Sequence, residues 1–217
     1  MPTKRKRGRP SIATKTNQEA LLKAALKAFA LSGFDGTNVK QLGQEAGIAP
    51  SLFYYHFKDK VGLWQAALQL VAKQLEEAMK PEELGNSSIH PIDFLKKWMS
   101  AYIYFSAKHP EFHQVISYEM ANPSSRADWL LEHILQPLHT NLQEQISTLQ
   151  AAGFIKKIPI ANFVSIVIGA GNVFFIQGYQ MKKLYEVDVF KEEAITQHID
   201  TVIDLFLNGI LIEKNQV

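Results

Sequence analysis

The chain of 217 residues has no cysteine, so disulfides, thiol catalysis and cysteine-ligated zinc are all excluded. It also lacks a run of period-two alternation long enough to build a sheet. No P-loop, Gly-x-Ser-x-Gly elbow or His-Glu-x-x-His occurs, which argues against the commoner enzyme classes. The N-terminus has a basic start without the apolar segment that a signal peptide needs. Acid is missing from the first 18 residues, whereas Lys4, Arg5, Lys6, Arg7, Arg9 and Lys15 crowd that stretch. Net charge is only +2, so the rest of the chain is net acidic by about 4 charges. Positive charge gathered at one end suits a chain that meets phosphate at that end alone.

The charge-free run from Ile158 to Met181 nearly has the length of a membrane span. Its Asn162, Asn172, Gln177 and Gln180, with glycines at 169, 171 and 178, fit better a helix buried on two faces. The glycines do not follow a strand and lack dinucleotide spacing, so they carry no nucleotide reading. His109 and His113 are four apart, but Pro110 opens a helix that leaves His109 outside, and no metal site is expected. No cofactor is expected either.

What is present is helical throughout. Residues 1–16 read as a disordered basic arm. A first helix follows from about Asn17, with Leu22, Ala25, Leu26 and Phe29 in one stripe and Gly33 as its end. Thr37 or Asn38 caps a second helix, Gly47 turns the chain, and Pro50 opens a third that ends near Phe57. Asp59 caps a fourth running to about Lys80. Two short helices around a glycine turn, after a packing helix, form helix-turn-helix geometry. Beyond a break at Pro81–Asn86 come helical stripes: Phe94, Trp98, Tyr102 and Phe105; then Leu131, Leu135, Leu138, Leu142 and Ile146; then Ile195, Ile199, Val202, Phe206 and Ile210, closed by Gly209. Further breaks fall near Ala121-Asn122-Pro123, Gly153 and Glu186–Asp188.

Over residues 17–77 the order Ala28-Phe29, Gly33-Phe34, Gly36-Thr37, Val39, Leu42, Ala46-Gly47-Ile48, Tyr54-Tyr55-His56-Phe57, Lys60 and Leu63 resembles the TetR family of bacterial transcriptional repressors. Ala49 stands where that family usually has a helix-capping serine, and Gly43 replaces a commoner alanine. The resemblance implies an all-α chain of about nine helices. It divides into a DNA-binding domain at 17–77 and an effector-binding and dimerisation domain at 78–217. Helix 3 would lie in the major groove, with Ser51, Leu52 and Tyr55 on bases beside Lys40, and Tyr54, His56 and Lys60 on phosphate or orienting the helix. Thr37 and Asn38 would donate to phosphate. Arg5, Arg7 and Arg9, around Arg7-Gly8-Arg9-Pro10, resemble an AT-hook entering the minor groove.

By the same resemblance, helices at about 159–180 and 192–209 would join two copies through Phe163, Val167, Gly171, Phe174, Ile199, Val202 and Phe206. A small-molecule effector would sit among Trp98, Tyr102, Phe105, His113, Tyr118, Trp129 and His133. The expected function is therefore a cytoplasmic, homodimeric repressor of a palindromic operator, released by its effector. An activator of the same family and an architectural DNA-binding protein without effector are the alternatives.

Overall fold

Local signals set most helix ends. In a computed structural model that describes residues 12–47, 50–80 and 89–212, with side chains of 12–17 and 50–52 left aside, the elements are α1 (Ile12–Gly36), α2 (Val39–Glu45), α3 (Pro50–Phe57), α4 (Lys60–Ala78), α5 (Pro91–Lys108) and α6 (Pro110–Ala121). They continue as α7 (Ser125–Leu130), a π turn (Leu131–Leu135), α8 (Gln136–Ala151), α9 (Ile160–Ile176), α10 (Gly178–Tyr185) and α11 (Glu192–Ile210). Counting α7–π–α8 as one continuous rod, the described residues form ten helices, against the nine or so expected. No strand forms among the described residues; an isolated antiparallel bridge joins Ile155 to Leu211.

The chain divides into two units, Met1–Leu70 and Val71–Val217, with the boundary inside α4. The stripe along α4 explains this: Leu63, Trp64, Ala67 and Leu68 are core of the first unit, and Val71, Ala72 and Leu75 are buried residues of the second.

In the first unit, helix begins at Ile12, earlier than the expected Asn17, so the last five residues of the predicted arm are helical. Gly33, at φ 71 and ψ 174, breaks α1 where expected; only glycine takes that conformation without strain. Phe34 then folds back, stacked on Phe29 at 5.8 Å and edge-on to Trp64 at 6.4 Å. Asn38 caps α2 by accepting from the Gln41 amide at 3.1 Å, and Asp59 caps α4 by accepting from the Gly62 amide at 2.8 Å. Phe53 and Phe57, both buried, hold α3 down. Each such side chain contributes about 1.5–3 kcal/mol on burial.

In the second unit α5 packs against both α9 and α11, and α6 against α9. Leu95, Met99, Ile103, Phe112, Phe163, Val167, Phe175 and Ile195 make its dry core. The stripe expected through Leu131 and Leu135 is displaced. Pro137 lacks an N–H and clashes with a carbonyl four residues back, and the helix widens into a π turn just before it. Leu130 and Ile134 are buried instead, and Leu131 faces solvent. The single helix expected at 159–180 is bent by 68° near Gln177. Gly178 permits this, because a Cβ there would meet Val189 Cγ2 at 2.9 Å. No single helix among the described residues is long and apolar enough to cross a membrane. α11 runs through Gly209 to Ile210, so that glycine does not close it.

Gly62 provides a test of the capped turn between α3 and α4. A Cβ there would lie 2.0 Å from the Phe57 carbonyl oxygen, whereas one on Gly209 meets nothing within 4 Å. Gly62→Ala should cost about 1–3 kcal/mol, lowering Tm by about 2–4 °C per kcal/mol. Gly209→Ala should leave Tm unchanged or slightly raised, as thermal unfolding followed by circular dichroism will show.

Candidate nucleic-acid interface and ligand cavity

On α3 the ladder of side chains splits cleanly. Phe53 and Phe57 point inward; Tyr54 and Tyr55 are 64% and 80% exposed on the opposite side, with His56 half-buried between. Exposed aromatic rings next to the helix opening are costly in water unless a partner covers them. Lys40 of α2 is exposed as well. Ser51 and Leu52 lie in the first turn of α3, their side chains not described. Arg5, Arg7 and Arg9 lie outside the described residues, as does the predicted break at 81–86.

Three expected DNA contacts are already engaged within the protein. Thr37 is buried, 6% exposed, and its hydroxyl donates to the Gly33 carbonyl at 2.8 Å, so it locks the Gly33 turn and has no proton left for phosphate. The Asn38 carboxamide oxygen is the α2 cap, which leaves its NH2 outward as the available donor. The Lys60 ammonium donates to the Asp35 carbonyl at 3.1 Å and sits 4.9 Å from the Phe34 ring centre, pinning α4 to the end of α1. Lys58 was not singled out from sequence. It takes the left-handed conformation at φ 63 that ends α3, with its side chain exposed beside the tyrosines' helix.

The second unit encloses a cavity of about 430 Å³. Trp98 and Tyr102 of α5, Phe112, His113, Ile116 and Met120 of α6, Leu138 and Leu142 of α8, and Ile168 and Asn172 of α9 line it, with Leu75 and Met79 from the end of α4. Of the seven residues expected, Trp98, Tyr102 and His113 reach it. Phe105 is buried against His109 and Phe112 instead. Tyr118 is exposed, and Trp129 and His133 stack on each other at 4.9 Å away from it. The spacing of Phe112, Ile116 and Met120 at i, i+4 and i+8 was the missed signal.

Its polar corner is defined in detail. Trp98 and Tyr102 are parallel, centres 5.8 Å apart, and Tyr102 meets His113 edge-on at 5.7 Å. Gly171 is buried under Tyr102: a Cβ there would be 2.8 Å from ring carbon Cε1. The Ser106 hydroxyl donates to the Tyr102 carbonyl at 2.9 Å and shares a 3.0 Å hydrogen bond with His113 Nε2. Serine has one proton, so Nε2 must supply the hydrogen of that second bond. Burial drives the His113 pKa down to about 3, helped by His109, and pushes the Tyr102 phenol up to about 12 against the pull of Ser106 and Asn172. Both groups are therefore neutral at pH 7.

Of the expected dimer contacts, Phe163, Val167, Gly171 and Val202 are turned into the chain's own core. Phe174 stacks on His198 at 4.2 Å, and Phe163 meets Phe206 at 5.1 Å; Phe174, Ile199 and Phe206 are half-buried. The outer faces of α9 and α11 carry Ile166, Val173 and Leu205 instead, all exposed.

Residues 21–67 match the model of bacterial regulatory proteins of the tetR family. The chain carries a helix-turn-helix domain of the TetR family of transcriptional regulators. It is 25% identical over 154 residues to the regulator RutR of Escherichia coli strain K12, covering 71% of this chain and 69% of that one. With the repressor NicS of Pseudomonas putida it shares 22% over 196 residues, 89% and 92% of the two chains. A TetR regulator structure from Chloroflexus aurantiacus superposes with TM-score 0.64 at 14% identity, over 91% of this chain and 98% of that one. For a TetR-like regulator from Rhodococcus sp. RHA1 the values are 0.61 and 18%, over 93% and 100%. The fold of the chain and its matched domain thus agree.

The sign of the His113 shift predicts acid sensitivity. Its folded pKa lies below the unfolded 6.5, so the unfolded chain takes up the proton first. Stability from this group is whole above pH 6.5 and falls toward pH 3 by about 1.4 kcal/mol per pH unit. His113→Gln should flatten the loss of stability between pH 6.5 and 4, read from urea midpoints across that range.

Proposed function

We propose that this protein is a homodimeric repressor in the cytoplasm that binds a palindromic operator and lets go when a small molecule fills the α5–α6–α8–α9 cavity. One observation supports this most directly. The same chain exposes two tyrosines and Lys40 on its helix-turn-helix unit and holds a partly open, mainly apolar cavity of about 430 Å³ in its other unit. A protein that only coats DNA has no use for such a cavity. The P. putida relative is a transcriptional repressor, which favours repression over activation.

In this reading Tyr55 and Lys40, with Ser51 and Leu52, face bases, and Tyr54, His56 and the Asn38 amide meet phosphate. Lys60 contributes by orienting α4. Arg5, Arg7 and Arg9 follow the minor groove. Ile166, Val173 and Leu205 give α9 and α11 their contact with a second copy, because paired apolar faces remove this surface from water. No catalytic role is assigned to any residue.

Selection of fragmented genomic DNA by the purified protein at physiological salt tests the proposal. An enriched inverted repeat supports it; retention by A-T content alone would leave an architectural role. On the recovered operator, Tyr54→Phe and removal of residues 1–10 separate two contributions. Losing the arm should weaken binding and reduce the slope of log K against log salt by about 0.9 for each phosphate that the arm had neutralised. Tyr54→Phe should weaken binding without changing that slope. An unchanged slope after removal of the arm takes it out of the interface.

A further inference from the structure

Resting on the reading of the cavity as an effector site, we infer that the effector is an uncharged, predominantly hydrocarbon molecule whose single hydrogen-bonding end meets Asn172 and the Tyr102 hydroxyl. The walls supply the first argument. Trp98, Phe112, Ile116, Leu138 and Leu142 offer only carbon surface or, in Trp98, one N–H. Charge supplies the second. Among the described lining residues the full charges are Glu76 and Lys80, both exposed at the edge, with Lys80 ion-paired to Glu77 at 2.6 Å; His139 also lines the cavity, and burial lowers its pKa, which disfavours a positive charge there. Nothing described in the interior neutralises a carboxylate or an ammonium, and burying either unpaired costs several kcal/mol.

The polar corner supplies the third argument. Asn172 and Tyr102 are 5% and 6% exposed, set beside each other on α9 and α5, and face the cavity. A carboxamide and a phenol can each donate and accept, so a hydroxyl, ester or amide on the ligand finds complementary groups there. His113 stays neutral behind them with Nε2 hydrogen-bonded to Ser106, so it supplies no counter-charge to an anion.

The test uses one hydrocarbon skeleton in three charge states on the full chain at pH 7.5: octan-1-ol, octanoate and octylammonium, with binding read by tryptophan fluorescence and thermal shift. The alcohol should bind at least about tenfold more tightly than either ion. Asn172→Leu should weaken the alcohol, and Asn172→Asp should turn preference toward octylammonium, a reversal that mere loosening of the fold does not produce. Should Asn172→Asp fail to fold, Trp98→Ala reports instead whether the alcohol leaves the cavity. Octanoate or octylammonium binding as well as the alcohol overturns the inference. Binding of none of the three, or alcohol binding untouched by Asn172→Leu and Trp98→Ala, overturns it too. Operator affinity measured in the same samples keeps the two readings apart. A bound alcohol that leaves DNA affinity unchanged removes effector release but not the ligand class. An ion that binds best and releases DNA does the opposite.

Discussion

The ring of Tyr102 lies where any side chain on residue 171 would have to be. That missing Cβ lets α5 and α9 approach closely, and the second unit is organised around this contact. With Tyr102 held flat against α9, its backbone carbonyl takes the Ser106 proton, Ser106 takes the His113 hydrogen, and α6 is drawn to the same layer. Trp98 then stacks one turn away. Packing on one side of α5 is therefore dense, and the apolar surface on the other side of the Trp98–Tyr102 pair is left to line the cavity. Close packing in one place and space in another follow from one glycine.

The helix-turn-helix unit was legible because its determinants are local. Gly33, Asn38, Gly47 and Asp59 act within four residues of themselves, through positive φ or through a side-chain cap, and their effects appear in the chain order where they are expected. Thr37 and Lys60 show where that legibility ends. Their types suit phosphate, but each has a carbonyl acceptor supplied by the fold, Gly33 for one and Asp35 for the other. Residue type announces a donor; only three-dimensional packing tells whether its hydrogens are already taken.

The second unit was legible as helices and much less as a site. A stripe read at fixed helical period cannot include the extra residue of a π turn, so Leu131 was assigned to the inside and Leu130 was overlooked. The uncharged helix at 160–176 posed a different difficulty. Apolar residues all round it do not tell which face meets the chain's own core. Phe163, Val167 and Gly171 turned out to be buried in the chain's own core, whereas Ile166 and Val173 remain outside. His198 on α11 sharpens that division, donating from Nε2 to the Ala170 carbonyl at 2.8 Å while stacking on Phe174. It fixes the rotation of α9, and hence the residues that each face presents.

Charge in this chain is thus separated by task. Net positive charge gathers at the N-terminal end, where long-range attraction to phosphate would need no fitted surface. The cavity interior works without charge: burial lowers the pKa of both lining histidines, His113 and His139, the Tyr102 phenol stays protonated, and the exposed ions lie at the edge. A ligand in such a place is held by area and shape, each Å² of hydrocarbon contributing about 25 cal/mol. Its leverage on the protein must then come from volume, because a ligand shifts an equilibrium only through interactions that differ between the two states. The widened turn before Pro137 bears on this, since Leu135 at its end is part of the cavity wall. A π turn is a rare interruption of an α-helix that recurs at functional sites, and here it places an irregular stretch of backbone directly in the wall of the cavity whose volume a ligand would change.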